Sequence, residues 1–438
     1  MSDDLVTRHH DAALDAAMTE TLAAGGLAVR RVDDAVRTET EAWQDAVARG
    51  FLGGEPTDTQ HEVFFAGAAY RRKIGVYDAQ GPLAALPVAT FASWVGELTL
   101  PGGTIPACAI SAVTVAPTHR RRGILRSVMA GELRAAADLG VPIAALTVSE
   151  STIYGRFGFG AAIPATTWEI DTRRAGWVGP TAPGRFDFVG REAGRDLAQT
   201  LHERIRLTSP GELALPPGHV DRFFGTRADA EKGDQLRVVQ YRAVGGDVDG
   251  LVVYRISENH DDFTASSLEV SFLLAATDEA YAALWQFLLS MDLIGTVRAS
   301  ELALDEPLWW LIADQRAAKI TVRDHHYLRI LDVPAVLSAR RYAGPETIAL
   351  EVTDPLGFAD GMFLLTIDDD GQGSVDPVDG PPLGIPSVRL GVAELSVLVA
   401  GGVSAVTLAR AGRLETDDPE RIAAVFQTPA APRLSFWY

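Results

Sequence analysis

The stretch AISAVTVAPTHRRRGILRSVMAGELRAAADLG, Ala109 to Gly140, constrains the fold more than any other part of the chain. A β-branched strand runs to Val115, Pro117 breaks it, and a basic loop turns the chain at Gly123. From Ile124 a helix is expected, because Leu125, Val128, Met129 and Leu133 recur at helical spacing. Strand, glycine turn and helix in that order call for a mixed α/β domain. The start of a helix leaves backbone N–H groups unpaired and carries partial positive charge, so it attracts an anion. Gly123 removes a side chain where backbone must come close, and the arginines beside it add fork-shaped donors suited to phosphate oxygens. A phosphate or pyrophosphate is one reading of this loop. The other is a solvated basic loop that neutralises the chain's own carboxylates, for the formal net charge is −19. No Gly-Lys-Ser/Thr follows, which excludes a Walker loop. The later GFGAAI lacks the acidic residue that a dinucleotide fingerprint requires.

At 438 residues the chain exceeds what one hydrophobic core supports, and two or three domains are expected. Hydrophobic residues at 47% and charged ones at 22% are the balance of a folded globular protein. The acidic excess argues against nucleic acid as a partner and favours a neutral or cationic one. Cys108 is the only cysteine, so no intrachain disulfide forms and a reducing compartment suits the chain. The acidic start has no apolar signal-peptide core, and no apolar run approaches the ~20 residues of a membrane span. A soluble, cytoplasmic protein is expected.

Three blocks follow an Ala-rich segment, residues 1–25, which reads as a frayed tail or loose helix. The first block, 26–170, has strands at LAVRRVD, KIGVYD, PVATFASWVGELTL, CAISAVTV and PIAALTV, a helix ending at Gly50, and a short helix at STIYGRF. The second, 171–321, repeats that flavour: LRVVQYRAV and GLVVYRIS flank a hairpin turn, and SLEVSFLLAAT precedes an amphipathic helix that Asp278 is expected to cap. The third, 322–438, contains FLLTIDDDGQGSVDPV, a hairpin rather than a calcium loop because the alternating acids of an EF-hand are absent. The chain ends in APRLSFWY.

Arg-x-x-Gly at Arg120–Gly123, preceded by VTV and followed by ALTVSE and IYGRFGF, resembles the GCN5-related N-acetyltransferases. APTHRRRGILR with YGRFGFG and PGG is similar to one branch, the Eis (enhanced intracellular survival) family; Leu125 departs from the Gly or Ala usual in the superfamily. The resemblance covers nearly the whole chain after the N-terminal segment. It implies tandem acetyltransferase domains of α/β (α+β) class, the second without a cofactor motif, then a sterol-carrier-protein-like domain, and assembly as a homohexamer. It implies an acetyl-CoA-dependent N-acetyltransferase. Its cofactor contacts fall on Val113, Thr114 and Val115, on Arg121, Arg122, Gly123, Ile124, Leu125 and Arg126, and on Ser149 and Glu150. The acceptor class it suggests is a cationic amine, an aminoglycoside-like polyamine or a lysine side chain.

Acetyl transfer to an amine needs a neutral amine, a polarised carbonyl and a proton for the departing thiolate. Tyr154 follows the strand that closes the cofactor cleft, and position and family pattern together make it the general acid. In the family's mechanism the chain terminus is the base, which assigns the α-carboxylate of Tyr438. The apolar tail around Leu434, Phe436 and Trp437 is then expected to dock in the first domain's cleft, with Glu150 as the alternative base. Cys108 reads as a small buried side chain. His119 and His325–His326 lack any metal-ligand spacing, and neighbouring strand residues face opposite ways, so no metal site is expected. The competing reading is a non-catalytic protein that holds an apolar ligand in its third block.

Overall fold

In the computed structural model, which describes residues 3–438, the chain divides into two compact units. One comprises the chain up to Ala162, His326–Thr428 and Tyr438; the other comprises Ile163–His325 and Pro429–Trp437.

The first unit begins with helices α1 (Asp3–Asp11) and α2 (Ala16–Ala24), then strand β1 (Ala28–Arg31), helices α3 (Arg37–Gly50) and α4 (Asp58–Gly67), and strands β2 (Arg72–Tyr77), β3 (Ala89–Leu100) and β4 (Gly103–Val115). Helix α5 (Ile124–Asp138), strand β5 (Ile143–Thr147) and a short helix, α6 (Ser151–Tyr154), follow. β1 to β4 pair antiparallel in sequence order, and β4 pairs parallel with β5. Val128, Met129 and Leu133 of α5 are buried, as their spacing requires, and share a core with Ile74, Phe91 and Leu146; Ile124 is buried with them, while Leu125 is only partly buried.

The N-terminal segment corrects the expectation of a frayed tail. Met18 and Leu22 of α2 are core residues, and Met18 fits against Gly131 of α5, where a Cβ would stand only 2.8 Å from its own Cβ. Asp15 caps α2 by accepting from the Met18 N–H (2.7 Å) and takes a fork of two bonds from Arg134, 2.6 and 2.8 Å. Composition could not reveal this, because the partners lie on β2 and α5.

The second unit contains β6 (Gly160–Asp171) from Ile163 onward, β7 (Arg185–Val189), helix α7 (Arg191–Arg206), β8 (Arg237–Arg242), β9 (Val248–Ser257), β10 (Ser266–Ala275), helix α8 (Asp278–Leu289) and β11 (Ile294–Leu302). Its strands run in the order β6-β11-β10-β9-β8-β7, with β10 and β11 parallel. The helix cap differs by one residue from expectation: Thr277, in extended backbone, accepts from the Ala280 N–H, so Asp278 stands inside the first turn.

Strand β12 (Ala318–Ile330) returns to the first unit, where His326–Ile330 pairs antiparallel with Thr147–Ile143 of β5. A five-stranded sheet follows in the order β15-β14-β13-β16-β17: β13 (Glu346–Thr353), β14 (Gly361–Ile367), β15 (Gly373–Pro377), β16 (Ser387–Gly391) and β17 (Leu414–Glu415). β14 and β15 form the expected hairpin, closed by Asp368, whose side chain accepts from the N–H groups of Asp370 and Gln372. Among the described residues no acidic, histidine or cysteine cluster could hold a metal, and no helix is long and apolar enough to cross a membrane.

Candidate active site

The site begins with a defect in the β3–β4 ladder. Thr90 pairs with Thr114 but Ala92 pairs with Ser111, so Ala112 and Val113 together oppose Phe91. This is a β-bulge, and Ala112 takes a left-handed backbone (φ 51°) to make it. The Thr90 hydroxyl stabilises the bulge by donating to the Ala112 carbonyl (2.8 Å) and lies 2.7 Å from the Thr114 hydroxyl. A bulge bends its strand, and β4 parts from β5 here: their pairing ends at Ile110 opposite Leu146. One edge of Ser111–Val115 therefore faces a gap instead of a strand. An extended amide-bearing ligand can add to such an edge as another strand would.

Beyond Val115 the chain makes a single turn at Pro117–His119, where His119 Nε2 lies 3.1 Å from Asp78 and its Nδ1 2.8 Å from the Thr118 hydroxyl. The hydrogen bond from His119 holds the Asp78 carboxyl below the usual carboxylate range. Arg121 and Gly123 both have left-handed backbone, φ 64° and 76°. Gly123 is the N-cap of α5 and brings no capping side chain, and a Cβ placed there would meet nothing within 4 Å. No side chain therefore caps the start of α5. Arg120, Arg121, Arg122 and Arg126 are exposed, and among the described residues none forms an ion pair with a carboxylate. Arg122 lies near enough to Asp78 to help lower its carboxyl, after the larger effect of His119. Arg122 also donates to the Gly25 carbonyl (3.0 Å), and with Arg126, Ser127 and Arg134 it lines a cleft of about 440 Å³ against α2.

Val113 and Val115 pack at the margin of the core, while Thr114 turns its side chain to the opposite face, toward Gly50 and Thr90. Ser149 and Glu150 are exposed at the turn after β5. Tyr154 ends α6 with its ring buried edge-on to Phe159, centroids 6.1 Å apart. Burial, with the Glu150 charge adding to it, pushes its phenol up to about 12, so the group stays protonated at neutral pH. The turn after Tyr154 is pinned by Arg329, fully buried and paired with Asp354 at 2.6 and 2.7 Å, whose Nε donates to the Phe157 carbonyl (3.1 Å).

The C-terminus arrives by a route the sequence did not indicate. Residues up to Trp437 belong to the second unit, where Leu434 and Phe436 are buried and Phe436 packs on His219 and His202. Glu212 accepts from Arg433 (3.1 Å) and Ser435 (3.2 Å) in the same unit. Only Tyr438 lies in the first unit, so the expectation that the whole tail docks in the first domain's cleft is corrected. The backbone oxygen of Tyr438 accepts from the Thr147 hydroxyl at the end of β5 (2.7 Å). Its phenol lies 2.9 Å from His326 Nε2, and its ring stands edge-on to Trp94 at 5.2 Å. Thr147 and Trp94 were not singled out by sequence, and His326 was weighed only as a metal ligand; each is an ordinary strand residue until Tyr438 is placed beside it.

Cys108 is buried, and burial raises its thiol to about 12, which leaves an inert side chain.

A model described as an acetyltransferase (GNAT) domain matches residues 31–162, and a second with that description matches 218–330. A sterol carrier protein domain model matches 333–435. N-acetyltransferase Eis of Mycobacterium tuberculosis is 34% identical over 353 residues, 78% of this chain and 83% of its own length. The chain belongs to the Eis family of GCN5-related N-acetyltransferases. An uncharacterised N-acetyltransferase of Streptomyces avermitilis is 39% identical over 86% of this chain and 90% of its own. The crystal structure of Eis1 from Mycobacterium abscessus matches with a TM-score of 0.78 and 29% identity, over 94% of this chain and all of that one. Like other members the protein is an N-acetyltransferase, with two acetyltransferase domains and a sterol-carrier-like domain. In the second acetyltransferase domain α7 also starts at an uncapped glycine, Gly190, but the helix that follows β10 does not. Thr277 caps α8, and Asp278 and Glu279 fill its first turn with negative charge, which opposes an anion there.

Proposed function

We propose that this Eis-family enzyme takes its acetyl group from acetyl-CoA at the N-terminal domain, residues 26–170, and passes it directly to a primary amine. Domain 171–321 carries no cofactor, and 322–438 supplies the terminal residue. One observation carries the reading: β4 parts from β5, with an uncapped, arginine-flanked helix start nearby and the Tyr438 backbone oxygen held by Thr147. Bound acetyl-CoA supplies the activated thioester. The α5 N–H groups from Gly123 to Arg126, with the Arg121, Arg122 and Arg126 guanidinia, would hold its pyrophosphate. The backbone of Val113, Thr114 and Val115 would bond its pantetheine arm, with Ser149 and Glu150 on the facing turn.

The Tyr438 carboxylate takes a proton from the acceptor ammonium and leaves a nucleophilic amine. The Tyr154 phenol gives its proton to the departing sulfur. A phenol raised to about 12 is a weak acid, but a thiolate formed in the same desolvated site is made more basic by the same cause. The acceptor is a cationic amine, an aminoglycoside-like polyamine or a lysine side chain, and the enzyme works in the cytoplasm as a homohexamer. Thiol release measured over a panel of aminoglycosides, polyamines and lysine peptides tests the reaction and ranks the acceptors. No thiol release with any amine would sink the reading, and a monomer by light scattering would remove the hexamer.

A further inference from the structure

Thr147 and His326 are direct cross-strand partners in the antiparallel pairing of β5 with β12. Opposed residues in such a pair project to the same face with Cβ atoms about 5 Å apart. On that face they hold the two ends of one residue. Thr147 bonds the Tyr438 backbone oxygen at 2.7 Å, and His326 Nε2 lies 2.9 Å from the Tyr438 phenol oxygen. We propose that His326 is a positioning residue for the terminal carboxylate: it fixes Tyr438 by the far end of its ring, so that Thr147 and His326 together set where the base sits.

The inference rests on the Tyr438 carboxylate being the base. A terminal residue is tethered through one peptide bond only, so a single hydrogen bond leaves rotation about its backbone and χ1 to spread the carboxylate. A misplacement of about 1 Å at a reacting group costs on the order of 100-fold in rate. A second anchor at the opposite end of a rigid ring removes that freedom. The ring is held laterally as well, edge-on to Trp94 (5.2 Å) and near perpendicular to the His326 imidazole (87°). On this account a terminal tyrosine and a terminal phenylalanine are not equivalent in this chain. The hydroxyl is needed because His326 stands opposite Thr147.

The test is steady-state acetyl transfer by the full-length enzyme with a saturating amine. Tyr438→Phe deletes a single oxygen and is expected to lower kcat about 10-fold with the acetyl-CoA KM unchanged. His326→Leu should lower kcat equally, and the double variant should be no worse than either single one, because both remove the same bond. His326→Gln, which keeps a polar group at the position, should recover much of the loss. Wild-type kcat in Tyr438→Phe would overturn the proposal, as would losses that multiply in the double variant. Should His326→Leu fail to fold, Tyr438→Phe and His326→Gln carry the test. A chain extended by one glycine after Tyr438 separates the two levels of the argument. Full activity there means that the carboxylate is not the base; an inactive extended chain beside fully active Tyr438→Phe and His326→Leu means that only the positioning role is wrong.

Discussion

Arg72 and Glu132 meet through two hydrogen bonds, 2.8 and 3.2 Å, with both side chains sealed from water. The same guanidinium donates to the carbonyls of Ala12 (2.5 Å) and His10 (3.4 Å) at the end of α1. One side chain therefore neutralises a buried acid and closes the N-terminal segment onto the sheet. Arg72→Met removes both functions and leaves Glu132 charged and alone. A loss of about 3–5 kcal/mol is expected, the usual result of orphaning a buried charge. Denaturant titration measures it, and Arg72→Met paired with Glu132→Met should recover part of the loss.

Replacing Arg121 and Arg126 together by Glu turns two donors at the α5 start into repulsive charges. The acetyl-CoA KM should rise at least ~10-fold, or ~1.4 kcal/mol, with the melting temperature unchanged because both side chains are exposed. An unchanged KM would take the pyrophosphate away from this loop.

Tyr154→Phe keeps the ring against Phe159 and removes only the acidic proton. Acetyl-CoA binding by calorimetry should be retained while kcat falls by about two orders of magnitude, the scale of general acid–base catalysis. Retained kcat would make Tyr154 a packing residue.

A glycine added after Tyr438 shifts the free carboxylate by up to ~3.5 Å, beyond the reach of the Thr147 hydroxyl. Turnover should fall by about two orders of magnitude with the fold intact by circular dichroism. Wild-type turnover would return the role of base to Glu150.

Glu212 links acid stability to the tail. Burial pushes its carboxyl up, but the His202 imidazole 3.7 Å away and the Arg433 charge outweigh that and hold it at about 2. A folded-state pKa depressed below the unfolded value adds stability that is complete above about pH 4.5 and lost as pH falls toward 2. Glu212→Gln should therefore flatten the pH dependence of melting between those limits. A slope like that of the wild type would show that other carboxylates set it.

The local parts of this site were legible because their signals are local. Gly123 after three arginines, the helical spacing of Leu125 to Leu133 and the IYGRFGF turn each announce their element within a dozen residues. Helices α1 and α2 were not, because what orders them is Arg72, Glu132 and Arg134, far along the chain. The hold on Tyr438 was hidden for the same reason. Thr147 and His326 acquire meaning only through a strand pairing that no periodicity encodes, and the tail's anchor on Glu212 is an ion pair between positions 212 and 433. Family resemblance pointed to Tyr438, while its neighbours required the fold.

The pairing of β5 with β12 also sets a timetable. Thr147 meets His326 only after about 180 further residues have been synthesised. Until then the first sheet ends at β5, and Ile143–Thr147 offers an unpaired edge that invites mispairing with other nascent chains. Closure over such a separation is also slow, since non-local pairing pays its loop entropy before any contact forms. A chain that has not yet made β12 thus has no partner for Thr147, and the hold that Thr147 and His326 share on Tyr438 forms only after that closure.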